Sequence, residues 1–274
     1  MRVAVVGCGL IGGSLAIALA RAGVDVVITD PDPAATRLIE ARGGGRAAVT
    51  VREAIDGVDV VVIAAPSAAL GEVLDELAAL GGDAAVCDVG GLKALVVPAG
   101  ERALGGRFVG AHPMAGNAGQ GAAAAEDDLF RGRPCAITPT ARTDAAALAA
   151  IEALWTRVGA TLVRVDPREH DAVMAHVSHL PHVAAYAQAA VIGATPAVRA
   201  LAGPSYDSNT RVAGAPTDHW VRAFIAARAD LEPACEALAE RVRAIGKAAA
   251  AGDEATLRAL LDDGRNARRG VRGA

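Results

Sequence analysis

Two hydrophobic periods alternate over residues 1–165. Residues 3–6, 24–29, 58–63 and 84–89 are short apolar or β-branched runs of the kind that make buried strands, and 108–111, 135–138 and 161–165 are further runs of that type. Between them the apolar positions widen to the helical period. One such stretch is 10–22. A second, opened by Ser67 as a capping residue, carries Leu70, Val73, Leu74 and Leu77 on one stripe. A third, opened by Asp144, turns Leu148, Ile151, Leu154 and Val158 inward and stops at Gly159. Alternation of this kind predicts a mostly parallel sheet covered on both faces. After Asp166-Pro167 the strand signals cease, and helical patterns fill 168–193, 217–229, 231–251 and 253–269. Pro181 lies inside the first of these and predicts a kink there. The expected fold class is α/β: a mostly parallel sheet with helices on both faces over 1–165, then an all-helical domain over 166–274.

Composition narrows the classes. The chain is 53% hydrophobic, but alanine and valine carry that value, and no apolar run reaches the roughly 20 residues of a spanning helix. Arg2 follows Met1 directly and a strand pattern begins at once, so neither a membrane nor a secretory leader is expected, and the location read from the sequence is cytoplasmic. The net charge of −4 is spread along the chain. The basic cluster Arg265, Arg268, Arg269 and Arg272 has no interleaved aromatics, so no nucleic-acid partner is expected. Cys8, Cys87, Cys135 and Cys235 form no C-x-x-C pair and read as free thiols in a reducing compartment. Lysine occurs only at 93 and 247 in an arginine-rich chain, which makes Lys93 conspicuous.

Gly7-Cys8-Gly9-Leu10-Ile11-Gly12 is a G-x-G-x-x-G stretch that follows an apolar strand and opens a helix. Gly7 serves a tight turn, Gly9 admits a pyrophosphate close to the backbone, and Gly12 lets helix and strand pack. Leu10 and Ile11 begin the helix whose free N–H groups and dipole receive phosphate. Asp30 ends the second strand, where a carboxylate accepts hydrogen bonds from ribose hydroxyls and repels a 2′-phosphate; this points to NAD rather than NADP. Asp32 is the alternative, or else the cap of the next helix, and Arg37 and Arg42 read as surface residues, either of which would admit NADP if the loop bends. Ala65 and Pro66, in the turn 64–67, form either a cofactor wall or an ordinary strand–helix connection.

His112 stands at the end of a short strand, the edge that faces the ligand crevice of an open α/β sheet. An imidazole there handles a substrate hydroxyl proton near neutral pH, or is structural. The helical half adds His176, Ser178, His179 and His182, with 179 and 182 on one helix face. No acidic or thiol partner completes a zinc set, so no metal is expected, and the choice lies between anion binding and polar packing. Arg211 offers a planar fork for a carboxylate, or a surface ion pair.

Together these pieces resemble the prephenate/arogenate dehydrogenase family. The matching stretches are Gly-Leu-Ile-Gly-Gly-Ser-Leu-Ala at 9–16, Asp-Val-Gly at 88–90 with Lys93, and His-Pro-Met-Ala-Gly at 112–116. Asp-Leu-Phe-Arg-Gly-Arg at 128–133, Ser-His-Leu-Pro-His at 178–182, and Thr-Arg at 210–211 with Trp220 continue the family's order. The resemblance implies a Rossmann NAD-binding domain over 1–165 and a helical substrate-binding and dimerisation domain over 166–274, in a homodimeric enzyme that oxidatively decarboxylates prephenate to 4-hydroxyphenylpyruvate with NAD in tyrosine biosynthesis. It implies His112 as the group on the substrate hydroxyl and Arg211 on a substrate carboxylate. Ser178, His179 and His182 would line the pocket and Trp220 would close it. Two departures stand out. Gly91 replaces the serine that the family carries after Asp-Val-Gly, and the loop 117–121 lacks charge. Arogenate dehydrogenase, action on another cyclohexadienyl acid, and a non-catalytic NAD-binding regulator are the alternatives; a 3-hydroxyacid dehydrogenase would want a lysine in the helical half, where only Lys247 is found. Neither a fused chorismate mutase nor an appended ACT domain is expected.

Overall fold

The valine- and isoleucine-rich runs become the middle of one eight-stranded sheet. The computed structural model describes residues 1–117, 119–193, 196–215 and 217–272. It divides into two compact units, Met1–Asp171 and Ala172–Ala274. The strands, all in the first unit, are β1 (Arg2–Val6), β2 (Asp25–Thr29), β3 (Arg46–Ala47), β4 (Val60–Ile63), β5 (Ala85–Asp88), β6 (Phe108–Pro113), β7 (Pro134–Thr138) and β8 (Thr161–Arg164). They lie in the order β3-β2-β1-β4-β5-β6-β7-β8. Strands β1 to β6 are parallel; β7 runs antiparallel to β6, and β8 is parallel to β7. The mostly parallel sheet expected from the alternation is therefore present, with β7 and β8 running opposite to the rest at one edge.

The helices of the first unit are α1 (Leu10–Arg21), α2 (Pro33–Ala41), α3 (Val51–Ala54), α4 (Leu70–Leu80), α5 (Lys93–Leu104) and α6 (Ala145–Arg157). Successive strand residues bury into opposite layers. Val3, Val5 and Ile28 join Leu15, Ile151 and Trp155 on one side, while Ala4, Val6 and Val27 join Leu74, Val97 and Phe108 on the other. Burial of both faces is why these strands read as continuous apolar runs rather than as alternating ones.

Three local features differ from the sequence reading or add to it. Ser67 does not cap α4: it is exposed, residues 66–69 make a turn closed by Ala69 N–H to Pro66 O at 2.9 Å, and Ala69 holds the N-cap position. Helix α5 falls where no helical stripe is legible, because its buried face includes Lys93, Glu101 and Gly100 and its interior holds Pro98. The kink expected at Pro181 has a change of helical type in its place: α7 (Pro167–Met174) passes into a π-helical turn, Ala175–His179, and on into α8 (Leu180–Ile192). Pro181 has no N–H to give and its ring crowds the carbonyl four residues back. A wider turn just ahead, with Pro181 in the first turn of α8, accommodates both facts.

Helices α9 (Pro196–Leu201), α10 (Pro204–Thr210), a 3-10 turn (Arg211–Gly214), α11 (Thr217–Ala226), α12 (Arg228–Ala251) and α13 (Glu254–Arg272) complete the second unit. Its described residues are helices joined by short turns and include no strand. Helix α12 packs on α8, on the π turn and on α13. No helix among the described residues is long and apolar enough to cross a membrane.

Candidate functional site

The first unit gathers its predicted chemistry at one edge. Strands β1, β2, β4, β5 and β6 run parallel, so the residues that follow their carboxyl ends share that edge. These are the glycine loop after β1, Asp30 after β2, the 64–67 turn after β4, Gly90 and Gly91 after β5, and His112 near the end of β6. Strand order reverses direction at β1, and such a switch point is where open α/β sheets bind ligands.

The three glycines are needed for different reasons. Gly7 has φ +106°, and a side-chain carbon there would come within 2.6 Å of Ala64 O. At Gly12 the same carbon would sit 1.9 Å from Gly7 O. Gly9 has ordinary φ of −72°, and no protein atom lies within 4 Å of where its Cβ would stand. Nothing within the chain explains Gly9, whereas a phosphate approaching the backbone does; the loop fits a dinucleotide. Asp30 is held rigidly beside it: Oδ2 accepts from Cys8 N–H at 2.7 Å and Oδ1 from Asp32 N–H at 2.8 Å. Asp32 itself caps α2 by accepting from Ala34 N–H at 2.9 Å. Arg42 donates to the carbonyls of Ala122 and Ala125, so its guanidinium is tied to that turn. The Cys8 thiol is pushed up to about 12, by burial first and the Asp30 carboxylate second, and is an inert neutral group in the loop.

His112 is the centre of a network that local sequence did not announce. Its Nδ1 lies 2.9 Å from Nε2 of His170, and Nδ1 of His170 lies 2.7 Å from Oδ1 of Asp171. Asp171 in turn accepts from the backbone N–H groups of Lys93 (2.8 Å) and Ala94 (2.9 Å), which makes it the cap of α5 from far along the chain. Lys93 is fully buried. Its Nζ donates to Asp88 Oδ2 at 2.5 Å and to Ala111 O at 2.6 Å, joining the ends of β5 and β6 just beside His112. Gly91 lies on another side of the imidazole: a Cβ there would meet His112 Cε1 at 3.4 Å and Nε2 at 3.6 Å. Burial pushes the Cys135 thiol to about 12 and holds the Cys87 thiol well above its ordinary value, so neither is a nucleophile.

In the second unit, His179 and His182 meet Trp220. The rings of His182 and Trp220 stack with centroids 3.5 Å apart and planes at 27°, while His179 meets Trp220 edge-on at 6.2 Å. Phe224, one helical turn beyond Trp220, closes the cluster. His182 Nδ1 lies 2.9 Å from Ser178 O, so that nitrogen donates to the carbonyl. His176 is exposed, and Arg211 is exposed at the start of its 3-10 turn. A pocket of about 530 Å³ in this unit is lined by residues such as Gln188, Ile192, Tyr206 and Asn209, and by none of the predicted substrate residues. Ala118, within the uncharged loop 117–121, lies outside the described residues.

A glycine-loop dinucleotide fold with a histidine at its carboxyl edge, followed by a helical unit, defines a two-part dehydrogenase class. Within that class the chain belongs to the prephenate dehydrogenase family. Residues 15–164 match the family's nucleotide-binding domain and 166–263 its dimerization domain. A cyclohexadienyl dehydrogenase of Zymomonas mobilis is 33% identical over 80% of this chain and 78% of its own length. A probable prephenate dehydrogenase of Streptomyces niveus is 38% identical over 67% of this chain, which spans only 51% of that relative. The crystal structure of prephenate dehydrogenase from A. aeolicus, in complex with hydroxyphenyl propionate and NAD+, superposes with a TM-score of 0.90 at 28% identity, over 99% of this chain and 98% of that one.

Proposed function

We propose that the chain is an NAD-dependent prephenate dehydrogenase, converting prephenate to 4-hydroxyphenylpyruvate in tyrosine biosynthesis. The observation that carries this reading is the shared carboxyl edge: a phosphate-admitting glycine loop, a rigid carboxylate after β2 and His112 near the end of β6, in a chain of this family. Gly7, Gly9, Leu10, Ile11 and Gly12 hold the pyrophosphate, Asp30 takes the ribose hydroxyls, and Ala65 and Pro66 stand beside the cofactor. NAD, when bound, accepts hydride from the ring carbon that bears the substrate hydroxyl. His112 takes the hydroxyl proton as the carbonyl forms. The ring carboxylate then leaves as carbon dioxide, the electron pair of that broken bond completes the aromatic ring, and His112 returns its proton to the oxygen to give the phenol. Arg211 grips a substrate carboxylate through its fork. Ser178, His179 and His182 line the pocket, and Trp220 closes it.

Residues 166–274 serve as the substrate-binding and dimerisation domain of a homodimer. Val191, Leu201, Val221, Ile225 and Leu261 are exposed there, apolar side chains of the kind that a second copy would cover. The buried free thiols Cys8, Cys87 and Cys135 suit the reducing cytoplasm. The test is NADH formation with prephenate and with arogenate, each offered NAD and NADP. Turnover of prephenate with NAD is expected. Turnover of arogenate alone would move the assignment to that amino acid, and reduction with neither would overturn the reading and favour a non-catalytic NAD-binding regulator.

A further inference from the structure

We propose that His170 and Asp171 are positioning residues that hold His112 as its Nδ1–H tautomer, so that Nε2 is the nitrogen that takes the substrate proton. The proposal rests on the reading of His112 as the proton acceptor. Asp171 receives the backbone N–H groups of Lys93 and Ala94, one on each oxygen, and so acts as an acceptor. The 2.7 Å contact with His170 is therefore an Nδ1–H donated to Asp171 Oδ1. A neutral imidazole has a single N–H, so Nε2 of His170 accepts, and the 2.9 Å contact with His112 is an Nδ1–H donated by His112. The lone pair of His112 then sits on Nε2, which lies on the side of Gly91.

Burial makes this chain of contacts matter. His170 is 2% exposed, and Lys93, the nearby cation, is already engaged by Asp88 and Ala111 O, which leaves Asp171 as the terminal carboxylate. When His112 gains the proton it becomes an imidazolium donating to His170, with Asp171 behind it as the balancing charge. The relay also answers the departure at 91. Glycine offers no hydroxyl to orient the ring from the Nε2 side, and here the orientation comes from the Nδ1 side instead.

Histidine side-chain 15N spectra of the full-length, uncomplexed protein test the tautomer, with His112→Asn and His170→Asn used to assign the signals. His112 and His170 should each show a protonated Nδ1 and an unprotonated Nε2. A protonated Nε2 on His112, as a charged His170 would impose, overturns the relay. Kinetics supply the second arm. His170→Asn keeps a donor for Asp171 but ends short of His112, whereas His170→Gln carries a carbonyl oxygen out towards the place of Nε2. The Asn variant should lose about 100-fold in kcat with KM for prephenate within about threefold, and the Gln variant should recover about tenfold of that loss. Equal losses, or better activity in Asn than in Gln, would mean that His170 acts only through Asp171 and α5. Because the spectra need no turnover, an inactive protein with the expected tautomer would sink the functional reading alone. An active protein with the reverse tautomer would sink the relay alone.

Discussion

Gly9 and Gly12 differ by three positions and answer to different forces. A side chain at Gly12 collides with backbone, so Gly12→Val should prevent the loop from forming and lower the yield of folded protein. A side chain at Gly9 meets only open space within the chain. Gly9→Val should therefore melt within a few degrees of wild type and yet bind NAD at least about 100-fold more weakly, as measured by fluorescence titration. Wild-type NAD affinity in Gly9→Val would remove the loop from the cofactor site. These glycines are legible in sequence because each role is local to a strand–turn–helix. His170 and Asp171 are not: they sit midway along a short, ordinary-looking helix, and their partners lie in β6 and at the start of α5, brought near only by the fold. Lys93 stood out by rarity, but its role as the pin between β5 and β6 needs coordinates to be seen.

Whole elements were readable in proportion to how cleanly they face one environment. The central strands, apolar on both faces, declare themselves; α5, with a buried lysine and an internal proline, hides. The π turn before α8 is the structural answer to Pro181, and no periodicity argument chooses it over a bend. The strands also set a pH dependence. Cys135 on β7 and Cys8 in the turn after β1 have thiols raised from 9.0 to about 12 by burial. The folded state holds these protons more tightly than the unfolded chain, so this contribution is whole below pH 9 and drains away as pH rises towards 12. Melting temperature should fall across that window, and less steeply in the double variant Cys8→Ala/Cys135→Ala. Parallel slopes for the two proteins would show that the buried thiols do not govern alkaline unfolding.

At the scale of the molecule, the alternation of periods conveyed the architecture and the change at residue 166 conveyed a second, helical part. What it did not convey is how the first unit is finished. The six residues 166–171 contribute Asp171 to the head of α5 and His170 to the flank of His112. Severing the polypeptide is thus not neutral to the site. A fragment amputated after residue 165 should still contain the glycine loop, but should melt lower than one ending at 171 and show greater amide exchange at the start of α5. Identical exchange in the two fragments would contradict this. The last stretch before the helical half is, in effect, a keystone laid late: a nascent chain emerging from the ribosome cannot finish its own base until residue 171 has been made.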